Sequence, residues 1–143
     1  MLFNSDKSKC EPKASIVVSK ENKNSHIINN KSKHSIYQYH IDGDIIQSSK
    51  GKRCDYIVEV IKNDNSQPLA FIIELKGSDV DEAVDQIEAT IDRYKGQLKD
   101  YDVRPRIILH KARTQEINGS KLRNLSRKYP YTIKKSLKYE EDI

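Results

Sequence analysis

Cysteine is nearly absent from this chain of 143 residues, which has only Cys10 and Cys54. Two thiols so placed make neither a disulfide framework nor the paired spacing of a zinc site, so a reduced, cytoplasmic setting is expected. No apolar run approaches the roughly 20 residues of a membrane span. The opening Met1-Leu2-Phe3-Asn4-Ser5-Asp6 also has no signal-peptide core, so no membrane partner is expected. Equally missing are a glycine-rich phosphate loop and any Ser/His/Asp or Cys/His arrangement for nucleophilic catalysis. There is no internal repeat, and no linker strong enough to divide the chain. The expectation is one domain over 1–143, with a polar, lysine-rich tail at 1–13 that stays loose.

What is present is charge. Charged residues make up 33% of the chain and hydrophobic ones 36%, with a net charge of +5, so the core is modest and the surface heavily solvated. The distribution is uneven. Residues 77–103 carry eight acids against three bases, and residues 104–143 carry eleven bases against four acids. A basic carboxy-terminal third suits a polyanion such as nucleic acid, and suits a solvated face without a partner equally well.

The first seventy residues show no helical period. Short strands are expected at Ile16-Val17-Val18, at His26-Ile27-Ile28 and over Ser35 to Ile41. Asp42-Gly43 signals a hairpin that returns through Asp44-Ile45-Ile46-Gln47. After Gly77 the period changes. Ser78 and Asp81 resemble a capping box. Val80, Val84, Ile87, Ile91, Tyr94, Leu98 and Tyr101 then recur at three- and four-residue steps, with Gln86, Thr90 and Gln97 along one flank of that stripe. A buried strand follows through Ile107-Ile108-Leu109, then a helix over Ser120 to Tyr129 stopped by Pro130. An edge strand is expected over Tyr131 to Tyr139, and a frayed acidic end after it. The order predicts a mixed α/β domain: one sheet flanked by helices, with the strand at Ile107 parallel to that at Ile73.

The chain centres on Phe71-Ile72-Ile73-Glu74-Leu75-Lys76-Gly77. Strand alternation puts Glu74 and Lys76 on one face and turns Leu75 into the core with Ile73 and Phe71. A second strand-like run, Cys54-Asp55-Tyr56-Ile57-Val58-Glu59-Val60-Ile61, precedes the turn-rich Lys62 to Pro68. An antiparallel hairpin pairing Ile61 with Ala70 would set Asp55 opposite Lys76 and gather Asp55, Glu74 and Lys76 at its open end. Two converging carboxylates invite a hard cation such as Mg²⁺, with the Leu75 carbonyl as a third oxygen. Lys76 is then placed to hold an attacking water or to offset charge on a phosphate. Glu59 is expected at a solvated edge, and His40 beside Asp42 at a polar hairpin tip. Arg53, Lys50 and Lys52 read as a flexible basic loop that could steer a phosphate.

Asp55, then Glu74-Leu75-Lys76 closing an apolar strand, then an amphipathic helix, resembles the PD-(D/E)XK nuclease superfamily over roughly Asp42 to Leu109. The resemblance implies a restriction endonuclease-like core, here with extra N-terminal strands. It also implies Mg²⁺-dependent hydrolysis of phosphodiesters (Mn²⁺ as substitute), with DNA as the usual substrate. By position, Asp55 and Glu74 would bind metal and Lys76 would be the catalytic lysine. Some branches carry a glutamine on the next helix, for which Gln86 is the better match and Gln97 the weaker. Cys54 stands where the family's proline would be, and the usual first helix is not visible. Glu21, Asp42 and Asp44 are the alternatives for its acid. A homodimer fits the many relatives that cut both strands, though no segment of the sequence marks an interface. The second reading is a nuclease-like scaffold that binds nucleic acid or a protein without cutting.

Overall fold

The computed structural model describes residues 1–75, 79–110 and 119–143. The strands of its core form where β-branched and aromatic residues cluster. They are β1 (Ile16–Glu21), β2 (Asn24–Asn29), β3 (Ser35–His40), β4 (Tyr56–Ile61), β5 (Leu69–Glu74), β6 (Asp102–Leu109), β7 (Ile133–Ser136) and β8 (Lys138–Asp142). The helices are α1 (Val80–Arg93), α2 (Lys95–Leu98) and α3 (Ser120–Lys128), and a single 3₁₀ turn spans Ser5–Lys7.

The fold is mixed α+β with two sheets, not one. A five-stranded sheet has the order β3-β4-β5-β6-β7, and a three-stranded sheet the order β1-β2-β8. As expected, β6 runs parallel to β5, with Ile73 opposite Arg106. One face of the large sheet packs against α1 through Ile57, Ala70, Ile72 and Ile107 meeting Val80, Val84, Ile87 and Ile91. The other face packs against the small sheet through Val58, Phe71, Ile73 and Leu75 meeting Val17 and Ile28. Each buried Val or Ile on these faces contributes about 2 kcal/mol. Because both faces are covered, β5 is buried at every position, which is why it reads as an unbroken apolar run.

Helix α1 begins one residue later than the capping-box reading places it. Asp79 is its N-cap and accepts from the Glu82 N–H at 3.2 Å, while Ser78 lies outside the described residues. Asp81 and Glu82 occupy the first turn, where the helix dipole favours acids.

Several expectations fail for identifiable reasons. The β4–β5 register pairs Glu59 with Ala70 and Tyr56 with Ile73, two residues away from the Ile61–Ala70 pairing. An even slip leaves every side chain on its expected face, so Leu75 still joins Phe71 and Ile73. Asp42-Gly43 does not start a strand pair. Residues 41–46 fold into a tight turn with Gly43 at φ +105° and Ile46 N–H bonded to the Ile41 carbonyl at 2.9 Å.

The tail 1–13 is not loose. Leu2 is buried, Phe3 meets Tyr39 and Tyr94 edge-on, and residues 8–12 bond along the free edge of β3. The carboxy-terminal end is not frayed either. Leu137, at φ 61°, turns the chain out of the large sheet, and β8 then pairs in parallel with β2. The expected edge strand over Tyr131 to Tyr139 is therefore two strands in two sheets.

Candidate metal centre

The site lies where β4 begins and β5 ends. Glu74 closes β5 on the α1 face, in line with Ile72 and Ala70. Asp55 precedes β4 at a bend. Its carbonyl accepts from Ile41 N–H at 2.8 Å, while its own N–H reaches the Ile73 carbonyl at 3.0 Å, although Ile73 is already opposite Tyr56. Two residues thus oppose one, a bulge-like departure that re-aims the side chain.

The consequence is convergence. The Leu75 N–H is shared by Asp55 Oδ2 at 2.7 Å and Glu74 Oε1 at 3.2 Å. The two carboxylate oxygens are therefore no farther apart than those two distances laid end to end. Asp55 is 1% exposed and Glu74 3%. Carboxylates about 5 Å apart repel by about 3 kcal/mol at an effective dielectric of about 20, which a divalent cation between them would offset.

Both acids line a polar cavity of about 200 Å³ with Asp42, Ser49, Gly51, Arg53 and Gln86. Arg53 is fixed there. Its Nε and Nη2 reach Asp42 at 3.0 and 2.9 Å, and its Nη1 donates to the carbonyls of Lys50 and Gly51. The basic loop is thus anchored, and Asp42 serves the arginine. Asp44 is elsewhere, paired with Lys9 at 2.8 Å. Glu21 ends β1 opposite Asn24 and does not line the cavity. His40 stacks on Tyr56 at 4.8 Å.

Gln86 reaches the cavity, but its Oε1 accepts from the Arg53 N–H at 2.7 Å. Gln97 is exposed on α2 and does not line it. Lys76 lies outside the described residues. Leu75, the expected carbonyl donor, accepts at its oxygen from Asn24 Nδ2. A carbonyl has a second lone pair, so that contact leaves room for another partner.

Two residues beyond those expected belong to the site. Thr90 Oγ1 accepts from the Cys54 N–H at 2.7 Å and donates to the Gln86 carbonyl at 2.8 Å. Its place on the flank of the helical stripe beside Gln86 was the available signal. Asn24, 4% exposed with its Oδ1 unpartnered, left no signal, because it arrives from a hairpin 51 residues away.

Two further carboxylates lie away from this site, Glu59 buried and Glu141 partly so. Glu59, expected at a solvated edge, is fully buried and accepts from Leu2 N–H, Tyr39 O–H and Tyr101 O–H. Burial and the adjacent Glu59 charge push both tyrosine hydroxyls well above their usual range. Glu141 binds Arg106 and His26. Arg106 is therefore core. Arg104 is paired with Asp102 at 2.8 Å and Lys121 with Asp85 at 2.9 Å, so the basic third does not present all its charge to one surface.

Among the described residues, no group of three or more His, Cys, Asp or Glu side chains is arranged to hold a metal ion. The donor set here is the two carboxylates; the Leu75 carbonyl, held by Asn24, is not among the groups lining the cavity. Mg²⁺ is commonly held by just one or two carboxylates, with water and substrate phosphate completing its octahedron, so the set fits that ion. No described helix is long and apolar enough to cross a membrane. No family model matches the chain, and neither the curated proteins nor the solved structures contain a match.

Proposed function

We propose that this protein is a Mg²⁺-dependent hydrolase of phosphodiester bonds in nucleic acid, with DNA as its substrate. The observation that carries the reading is the meeting of Asp55 and Glu74 on one backbone N–H at the wall of a polar cavity. Asp55 and Glu74 would hold the ion, with water and substrate oxygens completing its shell. A bound Mg²⁺ supplies Lewis acidity toward a phosphoryl oxygen and lowers the pKa of a water molecule beside it.

The chain's own residues do the remaining work. The Leu75 N–H fixes one oxygen of each acid, so the pair is preorganised before any ligand arrives. Arg53 brings a guanidinium, already oriented by Asp42, to the same cavity, where its charge favours a phosphate. Lys76 would orient the attacking water and offset charge growing on the phosphate oxygens, the role the family resemblance gives it.

The test is cleavage of labelled DNA and RNA, single- and double-stranded, in Mg²⁺ or Mn²⁺ against EDTA. Metal-dependent product is expected from wild type. Lys76→Ala should bind substrate as before and cut at least about 100-fold more slowly, the scale of a lost general acid–base group. Wild-type cutting by Lys76→Ala would remove that residue from the mechanism. Binding without any metal-dependent product would favour a non-cutting scaffold.

A further inference from the structure

We infer that Thr90 is a positioning residue that sets where Asp55 stands relative to Glu74, and through that spacing the affinity for the metal. The inference rests on the metal-binding reading above. The segment Arg53-Cys54-Asp55 lies outside any strand, so its N–H groups need partners from elsewhere. Helix α1 supplies the first two: Gln86 Oε1 takes Arg53 N–H and Thr90 Oγ1 takes Cys54 N–H, each at 2.7 Å. The third, on Asp55, goes to the Ile73 carbonyl at 3.0 Å.

Thr90 is the buried member of the two helix contacts, with no exposed surface. Its hydroxyl hydrogen is committed to the Gln86 carbonyl one turn back, at 2.8 Å, which leaves the oxygen as an acceptor for Cys54. Glu74, by contrast, is fixed by its own strand, and the adjoining Leu75 carbonyl is held by Asn24. Both acids are thus anchored on β5, Asp55 through the Ile73 carbonyl, and the helix adds its hold on the residue just before Asp55. Mg²⁺ requires near-octahedral oxygens at about 2.0–2.1 Å. A slip of the Cys54–Asp55 backbone therefore registers first as lost affinity.

The experiment compares wild type, Thr90→Val and Thr90→Ser. Valine keeps the branch and volume but removes the acceptor, and serine restores the oxygen. The readouts are Mg²⁺ binding by calorimetry, hydrogen exchange at the Cys54 amide, and Mg²⁺ dependence of cleavage. Thr90→Val should bind Mg²⁺ about 10- to 100-fold more weakly, the usual scale for an outer-shell partner. Its Cys54 amide should exchange faster, while turnover at saturating Mg²⁺ stays within a few-fold of wild type. Thr90→Ser should recover most of the affinity.

A purely structural role would lower the unfolding midpoint and leave metal affinity unchanged. A folded Thr90→Val with wild-type affinity therefore overturns the inference. Should Thr90→Val fail to fold, Thr90→Ala removes the same acceptor from Cys54 and puts no methyl in its place. The same weakening is then expected, and unchanged affinity is equally fatal. Wild type that binds no Mg²⁺ brings down the metal-binding reading and this inference together. Wild-type binding with unaffected variants removes Thr90 alone.

Discussion

Replacing Glu141 by glutamine tests how the two ends of the chain are fastened together. Arg106, 2% exposed, donates to Glu141 from Nε at 2.7 Å and from Nη2 at 2.9 Å, while His26 Nε2 meets the same carboxylate at 2.6 Å. This joins β2, β6 and β8. Glutamine keeps the shape and leaves the guanidinium buried without a counter-charge. Removing one partner of a buried pair costs about 3–5 kcal/mol. The lower end applies here, because the carbonyls of Pro105 and Tyr131 and the face of Phe71, 5.1 Å away, still serve the guanidinium. With a midpoint shift of about 4 °C per kcal/mol for a chain of this size, Glu141→Gln should melt about 12 °C below wild type at pH 7. Burial alone would raise the Glu141 pKa, yet the hydrogen bonds from Arg106 and His26 hold it at about 2, below its ordinary 4.5. A folded-state pKa lowered in this way stabilises the protein fully above the ordinary value and is lost as pH falls toward about 2. Chemical denaturation followed by far-ultraviolet circular dichroism, repeated from pH 7 to pH 3, should therefore show the gap between the two proteins narrowing below about pH 4.5. A variant within about 0.5 kcal/mol of wild type at pH 7, the scale of an ordinary surface change, refutes the reasoning. So does a gap that stays constant in acid.

Other outcomes follow from the same structure. Burial holds the His26 pKa below its usual 6.5, so the unfolded chain takes up a proton that the folded one refuses. Wild-type stability should fall as pH drops through about 6.5, and His26→Gln should flatten that slope between pH 7 and pH 5.5; an identical slope excludes His26 as its source. Glu59→Gln sets an amide N–H₂ among three donors and should cost about 1–3 kcal/mol. Deleting residues 1–3 should cost a similar amount, because it removes the Leu2 N–H from Glu59 and Phe3 from the tyrosines; a neutral result in denaturant titrations for either change contradicts the buried network. Cys54 is fully buried and burial drives its thiol pKa up, so a thiol-disulfide reagent should modify half-buried Cys10 first and reach Cys54 only on unfolding. Equal rates at both cysteines in the native protein would contradict that burial.

What the sequence revealed, and what it hid, divides along physical lines. The apolar run at Phe71 and the 3.6-residue period after Gly77 are local signals; β5 stands where they put it, and the helical stripe, read through to Tyr101, divides into α1 ending at Arg93 and the short α2. Glu74 was legible because strand alternation survives an even slip of register, whereas Asp55 reaches it through a bulge before β4 that alternation does not describe. The two-residue error itself came from a turn-rich loop whose length does not fix its conformation. Glu59 was misread because β4 is covered on both faces, so a polar residue within it is buried rather than turned outward. The last strand was hidden by its composition. Lys138 to Asp142 carries almost no apolar signal, and its partner β2 lies more than a hundred residues earlier in the chain. Asn24 was hidden as a site residue for a related reason, because it acts on a backbone group 51 residues away, while Thr90 showed only as a neighbour of Gln86 on the helical flank.

Asp55 and Glu74 are proposed to hold one divalent cation between them. Titration of Mn²⁺ into the protein, with free ion followed by electron paramagnetic resonance, measures this without requiring cleavage. One site per chain is expected for wild type, displaced by Mg²⁺ and weakened at least about tenfold, or about 1.4 kcal/mol, in Asp55→Asn and in Glu74→Gln alike. Wild type that binds no Mn²⁺, or binds it equally well after either substitution, contradicts the account.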